Sequence, residues 1–231
     1  MSKIDSSGEH GRRGDTIYVV LNGKQIKKAP YSPTNPRTPA QQMHRAKLAF
    51  INQLSAQLAD AVNIGFARVP EVEGGMSPRN AFVKANWKNG ALKWNEDKAE
   101  WELVPQHLLL ADGPRYISNS FMGAVDGNTL RIACSYTALK ENYAVADDQL
   151  MVAIFMPEMP KVLVLDGPLR NDCAESAFPL PENLPHGTMH IYVWFKATSF
   201  HRADGSHAVV HPDQCSRSVY LGTFISDDTA V

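Results

Sequence analysis

NPRTPAQQMHRAKLAFINQLSAQLADAVNIGF, residues 35–66, is the stretch around which the rest of the chain is organised. Thr38 is a good N-cap, Pro39 suits the first helical position, and Gln41 follows the cap by three residues. That is a capping box with proline at N1. Apolar residues then recur at helical spacing: Met43, Phe50, Ile51, Leu54, Leu58, Ala61, Val62 and Phe66. Gln42, Arg45, Lys47, Asn52, Gln53, Gln57 and Asp60 fall between them and suit a solvated face. The spacing predicts one long helix with one buried side.

Upstream, TIYVVLNGKQIKK (residues 16–28) is a β-branched run, an Asn22-Gly23 turn and a second short strand, which reads as a hairpin. Residues 1–14 are polar and Gly-rich and are expected to be mobile. APYSPTNPR (29–37) reads as a proline-stiffened linker. A lone two-stranded hairpin is marginal in water, so it must lie on its own domain or on a neighbour.

Downstream, ARVPEVEGGM (67–76) is a loop, and a second helix starts with Ser77 as cap and Pro78 at its first position. It carries Ala81, Phe82, Ala85 and Trp87 toward the first helix and stops at Asn89-Gly90. From about residue 99 the pattern becomes β, with strands expected at 101–104, 107–111, 129–136, 149–155, 161–165, 174–178, 189–198 and 217–224. Gly and Pro pairs separate them. Met189, Ile191, Val193 and Phe195 alternate against His190, Tyr192, Trp194 and Lys196. No helices alternate with these strands, so a doubly wound fold is disfavoured. The expected fold is α+β. A basic hairpin arm (1–34) precedes a two-helix module (35–95), and an immunoglobulin-like antiparallel β-sandwich (96–231) follows.

Composition narrows the class. With 44% hydrophobic and 20% charged residues the chain is globular and not disordered. No apolar run approaches a membrane span and the start lacks an apolar signal region, so no secretory signal is visible and folding in a cytosol is expected. Cys134, Cys173 and Cys215 are odd in number and widely spaced, which suits free thiols in a reducing compartment. The net charge of −1 conceals an asymmetry: residues 1–47 hold nine Lys/Arg against three acids, and the remainder holds fourteen against twenty-one. A basic arm on an acidic body can mean nucleic acid, a membrane surface or an acidic protein partner, and docking on protein is the favoured reading. Nucleic acid is the lesser reading, since there is no dense basic block and only Tyr18 and Tyr31 as aromatics. The arm residues expected to meet a partner are Arg12, Arg13, Tyr18, Lys24, Lys27 and Lys28.

The segment N-P-R-T-P-A-Q-Q-x-x-R-A-K (35–47), followed by M-S-P-R-N-A-F-V-K-A-N (76–86), resembles an uncharacterised, phage-associated family encoded in genomes of the Bacteroidetes type. Related helix motifs occur in phage genes. D-D-Q-L-M-V-A-I-F-M-P-E (147–158), H-I-Y-V-W-F (190–195) and S-V-Y-L-G (218–222) are similar to the same group. The resemblance implies an arm, a helix pair, a sandwich and a life in phages or prophages. It brings no activity, so it carries over no catalytic residue.

The remaining chemistry is sparse. His201, His207, His211 and Cys215, with Asp204 and Asp213 nearby, are zinc-ligand types. Their spacings of six, four and four match no ligand grammar, and Asp204-Gly205 at the centre reads as a hairpin tip. His186 and His190 fit surface positions, Asp147-Asp148 fits a turn, and Cys134 fits the core. There is no G-x-S-x-G elbow and no nucleotide-binding glycine motif, so no cofactor is expected. Trp87, Trp94, Trp101 and Trp194 suit packing, with sugar stacking as the alternative; Trp94 and Trp101 bracket a charged turn that fits a hairpin. These observations favour a non-enzymatic structural protein docking on a virion or on copies of itself. A glycan- or cell-surface-binding module and a metal-dependent enzyme built on the Cys215 cluster are the alternatives.

Overall fold

Thr38 caps the long helix as its sequence dictates: the Gln41 N–H donates to Thr38 Oγ1 at 3.3 Å. The computed structural model describes residues 3–5, 8–21, 24–30, 37–67, 76–117, 120–135, 147–198, 201–202, 209–210 and 214–226. The linker at 31–36, the Asn22-Gly23 turn and Tyr136 lie outside the described residues.

The fold is mixed α+β. In chain order the elements begin with β1 (Lys3–Asp5), β2 (Gly8–Arg13), β3 (Thr16–Leu21) and β4 (Lys24–Lys28). Next come α1 (Pro39–Gln57), α2 (Ala59–Gly65), α3 (Pro78–Asn86), β5 (Leu92–Asn95) and β6 (Glu100–Leu103). Then follow β7 (Phe121–Asp126), β8 (Thr129–Cys134), β9 (Gln149–Phe155), β10 (Leu163–Leu169), β11 (Glu175–Pro179) and β12 (Gly187–Lys196). The last are β13 (His201–Arg202), β14 (Val209–Val210) and β15 (Val219–Ser226). The chain divides into two compact units, Met1–Gln42 and Met43–Val231.

The first unit is an antiparallel meander of order β1-β2-β3-β4. The expected hairpin is its β3–β4 half, in the register Val19 to Ile26. Residues 1–14, expected to be mobile, instead supply β1 and β2. Backbone pairing does not require apolar side chains, so GEHGRR pairs without a hydrophobic signal. Gly14, at φ +56°, makes the tight β2–β3 turn possible.

The second unit is layered around the sheet β10-β9-β12-β15. One face presents Met151, Ala153, Phe155, Tyr192 and Trp194 to the helices and the β5–β6 hairpin, in a core shared with Ile51, Leu54, Leu58 and Phe82. The opposite face presents Leu150, Val152, Ile154, Ile191 and Val193 to the sheet β11-β8-β7, which adds Leu130, Ile132 and Phe178. Apolar burial on both sides explains why β9 reads QLMVAIF without alternation. It also refines the reading of β12, whose alternation set Tyr192 and Trp194 on the side of His190 and Lys196: both are fully buried.

The helical stripe is confirmed over Ile51, Leu54, Leu58, Ala61, Val62 and Phe66, but Met43 is exposed. The helix breaks at Leu58 because the Gln57 carbonyl turns aside to accept the Val162 N–H at 3.0 Å. Ser77 caps α3 through the Asn80 N–H at 3.3 Å, and α3 ends at Asn86, before the expected Asn89-Gly90 stop. Phe82 meets Phe66 edge-on at 6.0 Å.

The strand expected at 107–111 is absent. Leu108, Leu109, Leu110 and Ala111 are buried, but side chains satisfy part of this backbone. Asn86 brackets Leu109, accepting from its N–H at 2.8 Å and donating to its carbonyl at 2.9 Å, and Ser218 Oγ accepts from Leu110 at 2.9 Å. Gly65 permits this close approach, since a Cβ there would collide with the Leu110 carbonyl oxygen. The sequence pattern also missed β7, whose short run includes Gly123.

Candidate interaction surface

β3 places Ile17 and Val19 on one face of the N-terminal sheet and Tyr18 and Val20 on the other, by strand alternation. Ile17 lies opposite both Arg12 and Lys28, and Val19 lies opposite Ile26. On the reverse face Tyr18 lies between Gly11 and Lys27, and the Lys27 ammonium sits 5.7 Å from the Tyr18 ring centre. Arg12 Nε donates to the Gly14 carbonyl at 3.0 Å, which holds the guanidinium at the β2–β3 turn. Arg12, Arg13, Lys24, Lys27 and Lys28 are exposed and Tyr18 is half-buried. The expected partner-binding residues therefore gather on β2, β3 and β4.

No described side chain of Met1–Gln42 is buried. Ile17, Val19 and Ile26 are only half-covered, although each would contribute about 1.5–3 kcal/mol if fully removed from water. This unit holds seven Lys/Arg against three acids, while the rest of the chain holds sixteen against twenty-one. Within the meander, β4 is an edge strand with three lysines. Lysines on an edge discourage indiscriminate strand pairing and leave acidic edges as the favoured complement.

The other anticipated clusters fare differently. His207 and His211 lie outside the described residues, and His201 is described only through its strand. Cys215 is buried in the helix-side core, with its thiol donating to the Ile64 carbonyl at 3.3 Å. Among the described residues no group of three or more His, Cys, Asp or Glu is disposed to hold a metal. No described helix is long and apolar enough to cross a membrane.

Trp94 and Trp101 face each other across the β5–β6 hairpin at 5.5 Å, as their spacing predicts. Trp101 and Trp87 enclose Lys47, whose ammonium lies 4.8 and 4.7 Å from the two rings and donates to the Trp87 carbonyl at 2.8 Å. Burial in this aromatic clasp lowers the Lys47 pKa. Trp101 Nε1 donates to the Met43 carbonyl at 3.2 Å and fastens the same stretch of α1. A depression of about 350 Å³ beside Trp94 is lined by Asn95, Asp97 and Glu102.

Two features escaped the sequence. Asp148 is fully buried between two arginines, with Oδ1 on Arg115 Nη2 and Oδ2 on Arg170 Nη2 at 3.0 Å. Arg170 also donates to the Tyr116 carbonyl at 2.8 Å and stacks 3.7 Å from the Phe195 ring centre. Burial lowers the Arg170 pKa and Asp148 opposes that shift. His190, expected at the surface, stacks on Phe155 and shares a hydrogen bond with the Tyr220 hydroxyl at 3.1 Å. Burial lowers its pKa, with Glu158 pulling the other way.

Comparison with protein-family models, with curated proteins and with solved structures finds no match.

Proposed function

We propose that this protein is a non-enzymatic structural component that docks on a larger assembly through its N-terminal sheet. One observation carries the reading: a basic four-stranded meander in which no described side chain is buried. Such a sheet gains most of its stability from whatever covers it. Its charge and its lysine-bearing edge favour an acidic protein surface and strand addition. Because the body of the chain is itself acidic, copies of this protein are natural partners, and head-to-tail contacts of that kind build rings or filaments. The motif resemblance supports a phage or prophage virion as that assembly, with this protein as a head- or tail-associated part.

We read the strands β7 to β12 and β15 as an immunoglobulin-like sandwich. Lettered A to G in chain order, they form sheets E-B-A and D-C-F-G. That order supports the reading, with strand D moved from the A-B-E sheet to the edge of the other.

Deleting residues 1–34 is expected to leave a folded chain that no longer assembles, because both cores of the second unit draw only on residues from Phe50 onward. Changing Lys24, Lys27 and Lys28 to Glu is expected to weaken assembly most at low salt, where screening is least. If the truncated chain joins the same particle at unchanged stoichiometry, the docking role is lost. A second reading rests on the polar depression beside Trp94, which suits stacking on a sugar ring. Glycan binding abolished by Trp94→Ala would favour it.

A further inference from the structure

Cys134 ends β8, and Cys173 stands just before β11, the adjacent antiparallel strand. Ala133 pairs with Glu175, and the Cys134 N–H donates to the Ala174 carbonyl at 3.0 Å, so the two cysteines are diagonal neighbours at the end of the ladder. In a regular strand such neighbours point to opposite faces. Cys173, however, closes the 3₁₀ turn Arg170–Asp172 at φ −89° and ψ 7°, and its side chain turns back into the core that holds Cys134. Both are buried thiols. The two thiols are close enough to influence each other's ionisation: Cys134 lowers the Cys173 pKa and Cys173 raises that of Cys134. The turn also lets the Cys173 thiol donate to the Arg170 carbonyl at 3.0 Å, a proton it gives up on becoming the thiolate. The third thiol, Cys215, belongs to the other core, across the central sheet.

We propose that Cys134 and Cys173 are a latent disulfide site, closed reversibly by exchange with a low-molecular-weight disulfide once the protein leaves a reducing compartment. The two sulfurs are chemically unequal. The neighbouring Cys134 and then the Arg170 guanidinium favour the Cys173 thiolate against its burial, while the neighbouring Cys173 sulfur and burial keep Cys134 protonated. Cys173 is therefore the attacking sulfur. Its thiolate displaces one half of the small disulfide as a thiol, leaving a mixed disulfide on Cys173. Cys134 then displaces the second half as another thiol. The pair gives up two protons and two electrons, and the reagent takes up both. Access comes through β11, an edge strand whose local opening uncovers Cys173 without dismantling the central sheet. The bond closes a loop of about 40 residues, long enough for the unfolded state to lose substantial freedom.

The test uses the intact chain, incubated with oxidised glutathione under native conditions and then digested without reduction for mass spectrometry. The expected result is a Cys134–Cys173 cross-linked peptide lighter by two hydrogens, with Cys215 still alkylatable after denaturation. The melting temperature rises by several degrees, on the order expected for a loop of this size, and returns on reduction. Cys134→Ser is expected to trap glutathione on Cys173, and Cys215→Ser to leave the cross-link intact. A wild-type chain that keeps three alkylatable thiols, retains glutathione on Cys173, or cross-links through Cys215 overturns the proposal. If Cys134→Ser fails to fold, the wild-type peptide map decides by itself.

Discussion

Asp148 shows what a single buried carboxylate decides. Removing its charge leaves the guanidinium groups of Arg115 and Arg170 together in a place where both side chains are all but inaccessible to water. Breaking a buried ion pair from one side costs about 3–5 kcal/mol. Asp148→Asn is therefore expected to lower the melting temperature by roughly 10 °C in a domain of this size, and an unchanged melting curve would contradict the triad. Arg170→Met should cost more than Arg115→Met. Arg170 also loses its bond to Tyr116 and its stacking on Phe195, whereas Nε and Nη1 of Arg115 meet no acceptor among the described residues. None of this was legible in the sequence, where Asp147-Asp148 reads as a turn and both arginines are distant along the chain. His190 carries the pH dependence. Burial disfavours its imidazolium, so the unfolded chain takes up a proton first as pH falls. Stability contributed by the neutral ring is present above about pH 6.5 and is lost as pH drops toward the lowered folded value. Melting temperatures measured from about pH 7 to 5 should fall less steeply for His190→Gln than for wild type. Equal slopes would remove His190 from the account.

At the scale of elements, what the sequence announced was local. Caps lie within a few residues of what they cap, so Thr38 and Ser77 were readable, and so was the Trp94–Trp101 hairpin. What it concealed was non-local. The break at Leu58 depends on Val162, and the missing strand at 107–111 depends on Asn86 and Ser218. β1 and β2 carry no apolar period, because their pairing is a backbone matter. The side of β12 on which His190 was read as a surface residue is covered by the helices at Tyr192 and Trp194, and the unbroken apolar run of β9 was the available clue. Leu54 tests the helix layer directly. It is 5% exposed on α1, in the core that includes Trp194 and Tyr192. Leu54→Asp should put an unpaired charge there and unfold the protein, at a cost of several kcal/mol; a wild-type unfolding midpoint in urea would refute the packing of α1.

Across the whole molecule, stability is unevenly held. The central sheet is enclosed on both faces, whereas the N-terminal sheet has no buried side chain among those described. Amide hydrogen exchange should follow this division, with β9 and β12 slowest and β3 and β4 orders of magnitude faster in the isolated protein. Slowing of β3 and β4 on incorporation into a particle would report the covering of that sheet, and equal rates before and after would count against it. The candidate partner residues were visible in the sequence because charge is a property of composition. Their lack of a core of their own was visible only once the unit was folded.

The aromatic clasp on Lys47 and the detour of the Gln57 carbonyl have a mechanical meaning. Within the second unit, a load applied at the start of its helical layer is carried by α1. That helix is riveted to the body twice, by Lys47 and Met43 against the tryptophans and by Gln57 against Val162. Tension along α1 is therefore shared between the β5–β6 hairpin, through Trp101, and the start of β10, through Val162, so the helix acts as an anchor held at two points.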